Sequence, residues 1–343
     1  VAARAKVIPD DEVEAFLRAA VAGISIGTRP DDLQYLVLEQ VARRVFGTDL
    51  DVRALVPLPA DAAAALLPDP EVRRRLVQLI VVLELLEHPL EPRLAHHVCG
   101  YAGKLGVSEP MVAAGRHIAD GHLALMYADI QRNSYYTEEM RREVLHGHFW
   151  RLLRSKFAYS AVVGDRHIAR RWRALGDLPA GSWGRTTFDF YQVHGFPLPG
   201  ERHGIGEIGA HHDFVHVLAD YPATPEGEID VFAFIAASMD DPKGFTQLVM
   251  TLGLFQNASI QHVAGKRVAI ARADTLAEPG AAAHFADAMH RGSVCTVDAL
   301  GADHFALAPE PLDEVRARFE IPPKADPGAP GALDVGSARA PAT

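Results

Sequence analysis

Cysteine is nearly missing from this chain of 343 residues: Cys99 and Cys295 are its two, and neither belongs to a C-x-x-C pair. A disulfide framework is therefore excluded, and so sparse a thiol content suits a reducing compartment. Long apolar runs are also missing. The longest, Leu76 to Leu86, is interrupted by Gln78 and Glu84 and reaches roughly half of the ~20 residues that span a bilayer, so no transmembrane helix is expected. The opening stretch, VAARAKVIPDDEVE, is too short and too charged for a secretory signal, which makes the cytoplasm the expected location. There is no basic surplus. With 34 Lys and Arg against 44 Asp and Glu, a net charge of −10 and a pI near 5.9, nucleic acid is excluded as the main partner.

Strand-like alternation is the last absence, and what stands in its place is helical periodicity. The apolar fraction of 48% and charged fraction of 23% are those of a globular protein long enough for one large or two ordinary domains. Val13, Phe16, Leu17, Ala20 and Val21 form a stripe after Asp10, which can cap it. Pro30 opens a second segment, Asp69-Pro70-Glu71 a third ending by Pro89, and residues 92–105 and 109–131 complete the half. His88, His96, His97, His117 and His122 are scattered through it and are expected to be surface or satisfied core residues. The expected fold is all-α, in two helical domains over 10–131 and 137–321, followed by a disordered Pro/Ala/Gly-rich tail over 322–343. The segment 138–175 is rich in Arg and aromatics, a composition that can contact lipid headgroups, but Glu138, Glu139 and Glu143 dilute its positive charge. Its His146 and His148 are two apart and fall on different helix faces.

The sharpest feature is the stretch from Ala210 to Phe232, AHHDFVHVLADYPATPEGEIDVF. In a helix, His212 and His216 lie about 40° apart around the axis and Asp213 about 60° from His216, so all three share a face while His211 points elsewhere. Thr224-Pro225-Glu226 starts another helix and puts Glu228 in its first turn. Two imidazoles with one or two carboxylates are ligands for a divalent metal such as zinc. The bland alternative is a pair of surface histidines and a first-turn carboxylate favouring the helix dipole. H-E-x-x-H is absent, which speaks against a metal hydrolase. Two further stretches are candidates for substrate contact. The loop LGDLPAGSWGR is either a turn anchored by a buried Trp or a device that aims Arg185 into a cavity. The stripe of Phe245, Leu248, Val249, Leu252 and Phe255 is either core or the wall of a groove for an apolar chain.

Three pieces of the region 140–325 together resemble the coenzyme Q (ubiquinone) biosynthesis protein 4 family. Leu178-Pro179-Ala180-Gly181-Ser182-Trp183-Gly184-Arg185 is similar to its L-P-x-G-T-x-G-R loop. His212-Asp213-Phe214-Val215-His216, eleven residues and Glu228 match its H-D-x-x-H-(x)11-E motif. Pro311-Leu312-Asp313-Glu314-Val315-Arg316 through Ile321-Pro322-Pro323 is similar to its closing segment. The resemblance implies a divalent metal, zinc having been proposed, on His212, Asp213, His216 and Glu228, and a hydrophobic channel for a polyprenylated ring. It further implies oxidative removal of the ring carboxyl at C1, the organisation of other quinone-biosynthesis proteins, self-association, and peripheral contact with the inner membrane surface. The alternative is a scaffold that binds a prenyl lipid and holds a structural metal. A weaker resemblance, on Gly23, Gly27, Pro30, Asp31, Asp32 and Leu33, links the N-terminal half to the tellurite-resistance TerB-like helical domain and implies its fold class alone.

Overall fold

The computed structural model describes residues 8–27, 29–133, 164–239, 242–260, 262–263, 266–267 and 273–335. The protein is all-α, as expected. Among the described residues, extended pairing is confined to isolated bridges and one two-residue antiparallel ladder, His262 with Arg267 and Val263 with Lys266. None of their helices is long and apolar enough to cross a membrane.

In the N-terminal half, a 3-10 turn over Asp10–Glu12 leads into α1 (Val13–Gly23), and Asp10 makes no side-chain cap there. Helix α2 (Asp32–Arg44) starts two residues later than Pro30. Asp31 is its N-cap, accepting from Gln34 N at 2.7 Å, while its own N–H donates to Gln34 Oε1 at 2.9 Å. Asp32 pairs with Arg53 at 2.8 Å, so both acids have structural partners. The sequence pattern passes over α3 (Ala60–Leu66), a short alanine-rich turn of helix. Helices α4 (Pro70–Glu84), capped by Asp69, and α5 (Pro92–Lys104) follow as expected. The stretch 109–131 breaks into α6 (Pro110–Ala119) and α7 (Leu123–Asn133) at Gly121, whose φ of 73° suits glycine and ends the first helix. The scattered histidines find partners: His97 Nε2 bonds Ala22 O at 2.9 Å and His117 Nε2 lies 3.3 Å from Asp129 Oδ2.

The expected boundary at 131–137, and the Arg/aromatic segment as far as 163 with His146 and His148, lie largely outside the described residues. Beyond them come α8 (Arg166–Arg173), α9 (Trp183–His194), α10 (Glu207–Ala219), α11 (Pro225–Ser238), α12 (Pro242–Phe255), α13 (Ala281–Val294), the single turn α14 (His304–Leu307) and α15 (Leu312–Arg318). Helix α11 packs on both α12 and α13. Gly292 makes the close approach to α11 feasible, because a Cβ there would lie 2.3 Å from Phe234 O.

The two halves do not have separate cores. One contiguous apolar cluster takes in Phe16, Val37, Leu38, Leu76 and Ile80 from the first half and Phe234, Leu248, Leu252 and Phe285 from the second. Helix α2 packs on α13, and α4 on α12. Each fully buried Leu or Phe in this cluster stabilises the fold by about 1.5–3 kcal/mol.

The expected disordered tail is corrected over 322–335. Ala332 is buried, and Lys324 Nζ donates to the carbonyls of Asp220, Ala329 and Pro330, each at 3.0 Å. Composition without periodicity is silent about such packing, because the strap is held by Lys324 and by hydrogen bonds of its backbone to Arg291, His194 and Asp220, not by an apolar stripe. Residues 336–343 lie outside the described ones.

Candidate metal centre

Helix α10 starts at Glu207 after Gly206 and stops where Asp220 takes a left-handed conformation with φ 62°. Buried residues occur on all its faces from His212 to Ala219, because α9 packs on one side and α11 on the other. The His212 Nδ1 contacts the backbone O of Gly209 at 2.5 Å, one turn back, and its ring stacks on Phe232 of α11. The His216 Nδ1 contacts Tyr221 O at 3.1 Å, just past the helix end, and its ring stacks on Phe190 of α9. A carbonyl oxygen can only accept, so in both rings Nδ1 carries the proton and Nε2 faces the other way. This is the arrangement by which backbone carbonyls orient metal-binding histidines.

Both Nε2 atoms face Glu228. Its Oε2 lies 3.6 Å from His212 Nε2 and its Oε1 3.4 Å from His216 Nε2. The donor atoms of His212, His216 and Glu228 all fall within 4.8 Å of one another. Asp213 flanks this trio. Its Oδ1 is 3.3 Å from His212 Nε2, and its Oδ2 accepts the hydroxyl proton of Tyr191 from α9. Glu228 is placed by α11 as the sequence suggests: Thr224 Oγ1 accepts from Gly227 N at 3.2 Å and Pro225 occupies the first turn.

Charge in this pocket is tightly coupled. Burial draws the His212 pKa down, but Asp213 and then Glu228 outweigh it and hold the imidazole up to about 10. Burial draws the Glu228 carboxyl up, yet His216 and His212 keep it well below the usual carboxylate range. Burial raises Asp213. Two carboxylates converging in a largely buried place, Asp213 buried and Glu228 partly so, call for a positive charge between them. Without an ion, a proton on His212 supplies it.

The residues fit a divalent cation. Zinc ligands at about 2.0–2.1 Å stand roughly 3.3 Å apart around a tetrahedron, close to the 3.3, 3.4 and 3.6 Å separations found here. Simple ion pairs would give similar spacings, so the deciding atom is His216 Nε2. It is fully buried and makes no hydrogen bond among the described residues; what it faces at 3.4 Å is Glu228 Oε1, and with the proton on Nδ1 both atoms are acceptors, a pairing that calls for a cation or a proton between them. No family model, no curated protein and no solved structure matches this chain. The site is therefore argued from its own atoms.

Of the four ligands expected, His212, Asp213, His216 and Glu228, the two histidines and Glu228 come together, and Asp213 lies at their edge. His211 points away as expected, its ring 5.2 Å from that of His304. Tyr191, Phe190 and Phe232 belong to the site but carry no sequence signal, since aromatic residues on neighbouring helices read as ordinary core. Arg185 does not reach the cluster in any contact found. It donates to Asp189 Oδ1 at 2.9 Å and to Gly176 O at 3.1 Å near the surface. Its loop is a turn with a buried anchor: Ser182 caps α9, and the fully buried Trp183 donates to Phe214 O at 2.9 Å, holding α9 to α10.

The two outer motifs meet. Trp183 N donates to Glu310 O at 2.9 Å, Gly184 N to Ala308 O at 2.8 Å and Leu312 N to Gly181 O at 3.0 Å. The apolar stripe of α12 divides. Phe245 and Leu248 line a cavity of about 130 Å³ with Phe16, Val45, Ala233 and Ala236, whereas Val249 and Leu252 are buried in the core without lining it. That cavity lies between α1, α2 and α4 on one side and α11–α13 on the other, and none of the four candidate ligands borders it.

Proposed function

We propose that this protein is a divalent-metal enzyme of prenyl-quinone metabolism, with zinc the best-fitting ion, acting on a polyprenylated hydroxybenzoate-type ring. The observation that carries the metal is the buried Nε2 of His216, an acceptor without a hydrogen bond that converges with His212 Nε2 on the carboxylate of Glu228. The substrate class rests on the H-D-x-x-H-(x)11-E spacing and its resemblance to the ubiquinone-biosynthesis family. His212, His216 and Glu228 would hold the ion, with Asp213 the fourth donor. A bound divalent metal supplies Lewis acidity that polarises a carboxylate or phenolate of the ring. The hydrogen-bonded pair of Tyr191 and Asp213 Oδ2 can relay a proton to or from a phenol or carboxylate oxygen of the ring. The oxidative C1 decarboxylation, which releases CO2 and leaves oxygen on C1, would draw on an external two-electron oxidant such as dioxygen. Gathering other quinone-assembly proteins, self-association and contact with the inner face of a membrane belong to the same proposal.

The test is metal analysis of the purified protein, with His212→Ala and Glu228→Ala alongside. Each variant is expected to stay folded and to lose both its ion and its turnover of a prenylated hydroxybenzoate. A double variant that turns over as fast as wild type would sink the enzyme reading.

One observation favours a second reading, a non-catalytic prenyl-lipid scaffold with a structural metal. The cavity holding Phe245 and Leu248 borders no candidate ligand. Mass spectrometry of extracts separates the two: a co-purified lipid in a protein whose ion has no exchangeable position favours the scaffold.

A further inference from the structure

A helix leaves its last carbonyls without partners, and one glycine or one basic side chain usually suffices to end it. Helix α10 ends differently. His216 O accepts from Tyr221 N at 2.9 Å. Val217 O and Leu218 O accept from Arg316 Nη2 and Nε at 3.0 and 2.9 Å. Ala219 O accepts from Arg291 Nη1 at 2.8 Å, and Asp220 O from Lys324 Nζ at 3.0 Å. The three cations come from α13, α15 and the strap that follows.

Two of the three, Arg291 and Lys324, also hold the turn that aims His216, while Arg316 holds the last helical residues before it. Arg291, itself buried, donates to Tyr221 Oη at 2.6 Å and to Pro322 O at 2.9 Å. Lys324 pairs with Asp220 Oδ2 at 2.9 Å, and Ala332 N donates to Asp220 Oδ1 at 3.0 Å. Gly331 gives that carboxylate its room, because a Cβ there would lie 2.5 Å from Asp220 Oδ1. His194, four residues after the Phe190 that stacks on His216, donates to Ala332 O at 2.8 Å. Asp220 keeps its positive φ without being glycine, a conformation that persists when surroundings over-determine it. Tyr221, whose carbonyl receives the His216 Nδ1 proton, is thus held at its ring and through the preceding residue.

We propose that Arg291, Arg316 and Lys324, with the strap over 322–332, are positioning residues of the metal centre. Arg291 and Lys324 fix the Asp220–Tyr221 turn, Arg316 fixes the Val217–Leu218 end of the helix that leads into it, and together they set the direction of His216 Nε2. This inference rests on the metal reading above. A cap serving the helix alone would change stability, whereas a positioning cap also changes how the ion is held.

The experiment uses the full chain with Arg316→Met and Lys324→Met, singly and together. Far-UV circular dichroism selects folded variants. Cobalt(II) is the probe, titrated against a chelator, with its ligand-field spectrum recorded. Each single variant is expected to bind cobalt about tenfold more weakly, as happens on removing groups that orient ligands, and to show a shifted spectrum. Lys324→Arg should restore both. Arg173→Met, which removes an exposed cation paired with Glu201, should change neither. A folded double variant with wild-type affinity and spectrum overturns the proposal. The His216 Nδ1 proton gives a reading without any ion. NMR should find it protected from solvent exchange in wild type and fast-exchanging in the double variant, and equal exchange in both overturns the proposal too. Should wild type bind no cobalt, the metal reading fails, and the proton alone decides whether the cap positions the ring.

Discussion

His212 is the residue whose charge state reports on the site. Its folded pKa is held up to about 10 from an ordinary 6.5. The stability it contributes to the metal-free protein is complete below about pH 6.5 and is lost as pH rises towards 10. Glu228 acts with the opposite sign: its pKa is lowered from 4.5, so its contribution is present above pH 4.5 and is lost as pH falls. The metal-free protein should therefore lose melting temperature steadily between pH 7 and 10, and His212→Gln should flatten that slope. Because an ion must displace the His212 proton, calorimetry of zinc binding at pH 8 in buffers of different ionisation enthalpy should report about one proton released per ion. A value near zero would mean that His212 is not a ligand. The trio was legible because helix periodicity and one start signal suffice to bring His212, His216 and Glu228 to one side. Tyr191 was not, since its pairing with Asp213 depends on how α9 lies against α10, and no local pattern encodes that.

At the scale of elements, the site depends on how closely α11 begins to its preceding loop. A Cβ on Gly227 would lie 1.9 Å from Pro222 O, and Gly227 is the residue before Glu228. Gly227→Ala must push the first turn of α11 away from that loop. It should cost about 1–3 kcal/mol in urea unfolding, the usual range for overpacking, and weaken cobalt binding as well. An unchanged unfolding midpoint would contradict this packing. Helix starts such as Asp69-Pro70 and Thr224-Pro225 are legible because capping is local. The division of 109–131 at Gly121 is less so, since isolated glycines occur inside helices and only the positive φ makes this one a stop. The stripe of α12 was legible as apolar, but which of its residues border space and which fill it is decided by Phe16, Val45 and the alanines of α11, all distant in sequence.

For the whole molecule, the shared core argues for a single folding unit. Helices α2 and α4 bury their apolar faces partly against α13 and α12, so neither half closes its core alone. Differential scanning calorimetry of the metal-free chain should show one transition whose van't Hoff and calorimetric enthalpies agree. Two resolved peaks would restore the expectation of independent domains. That expectation came from counting helices on either side of a polar junction, and such a count carries no information about which faces meet. The cap on α10 has a consequence for how the protein is made. Arg316 and Lys324 stand 98 and 104 residues downstream of the carbonyls they bind. A ribosome delivers all four candidate ligands well before it delivers the groups that aim them. For the interval of translation between Glu228 and Lys324, the nascent chain exposes histidines and carboxylates that are not yet locked in place, so an ion at the proposed site should be taken up late, after synthesis has passed the strap.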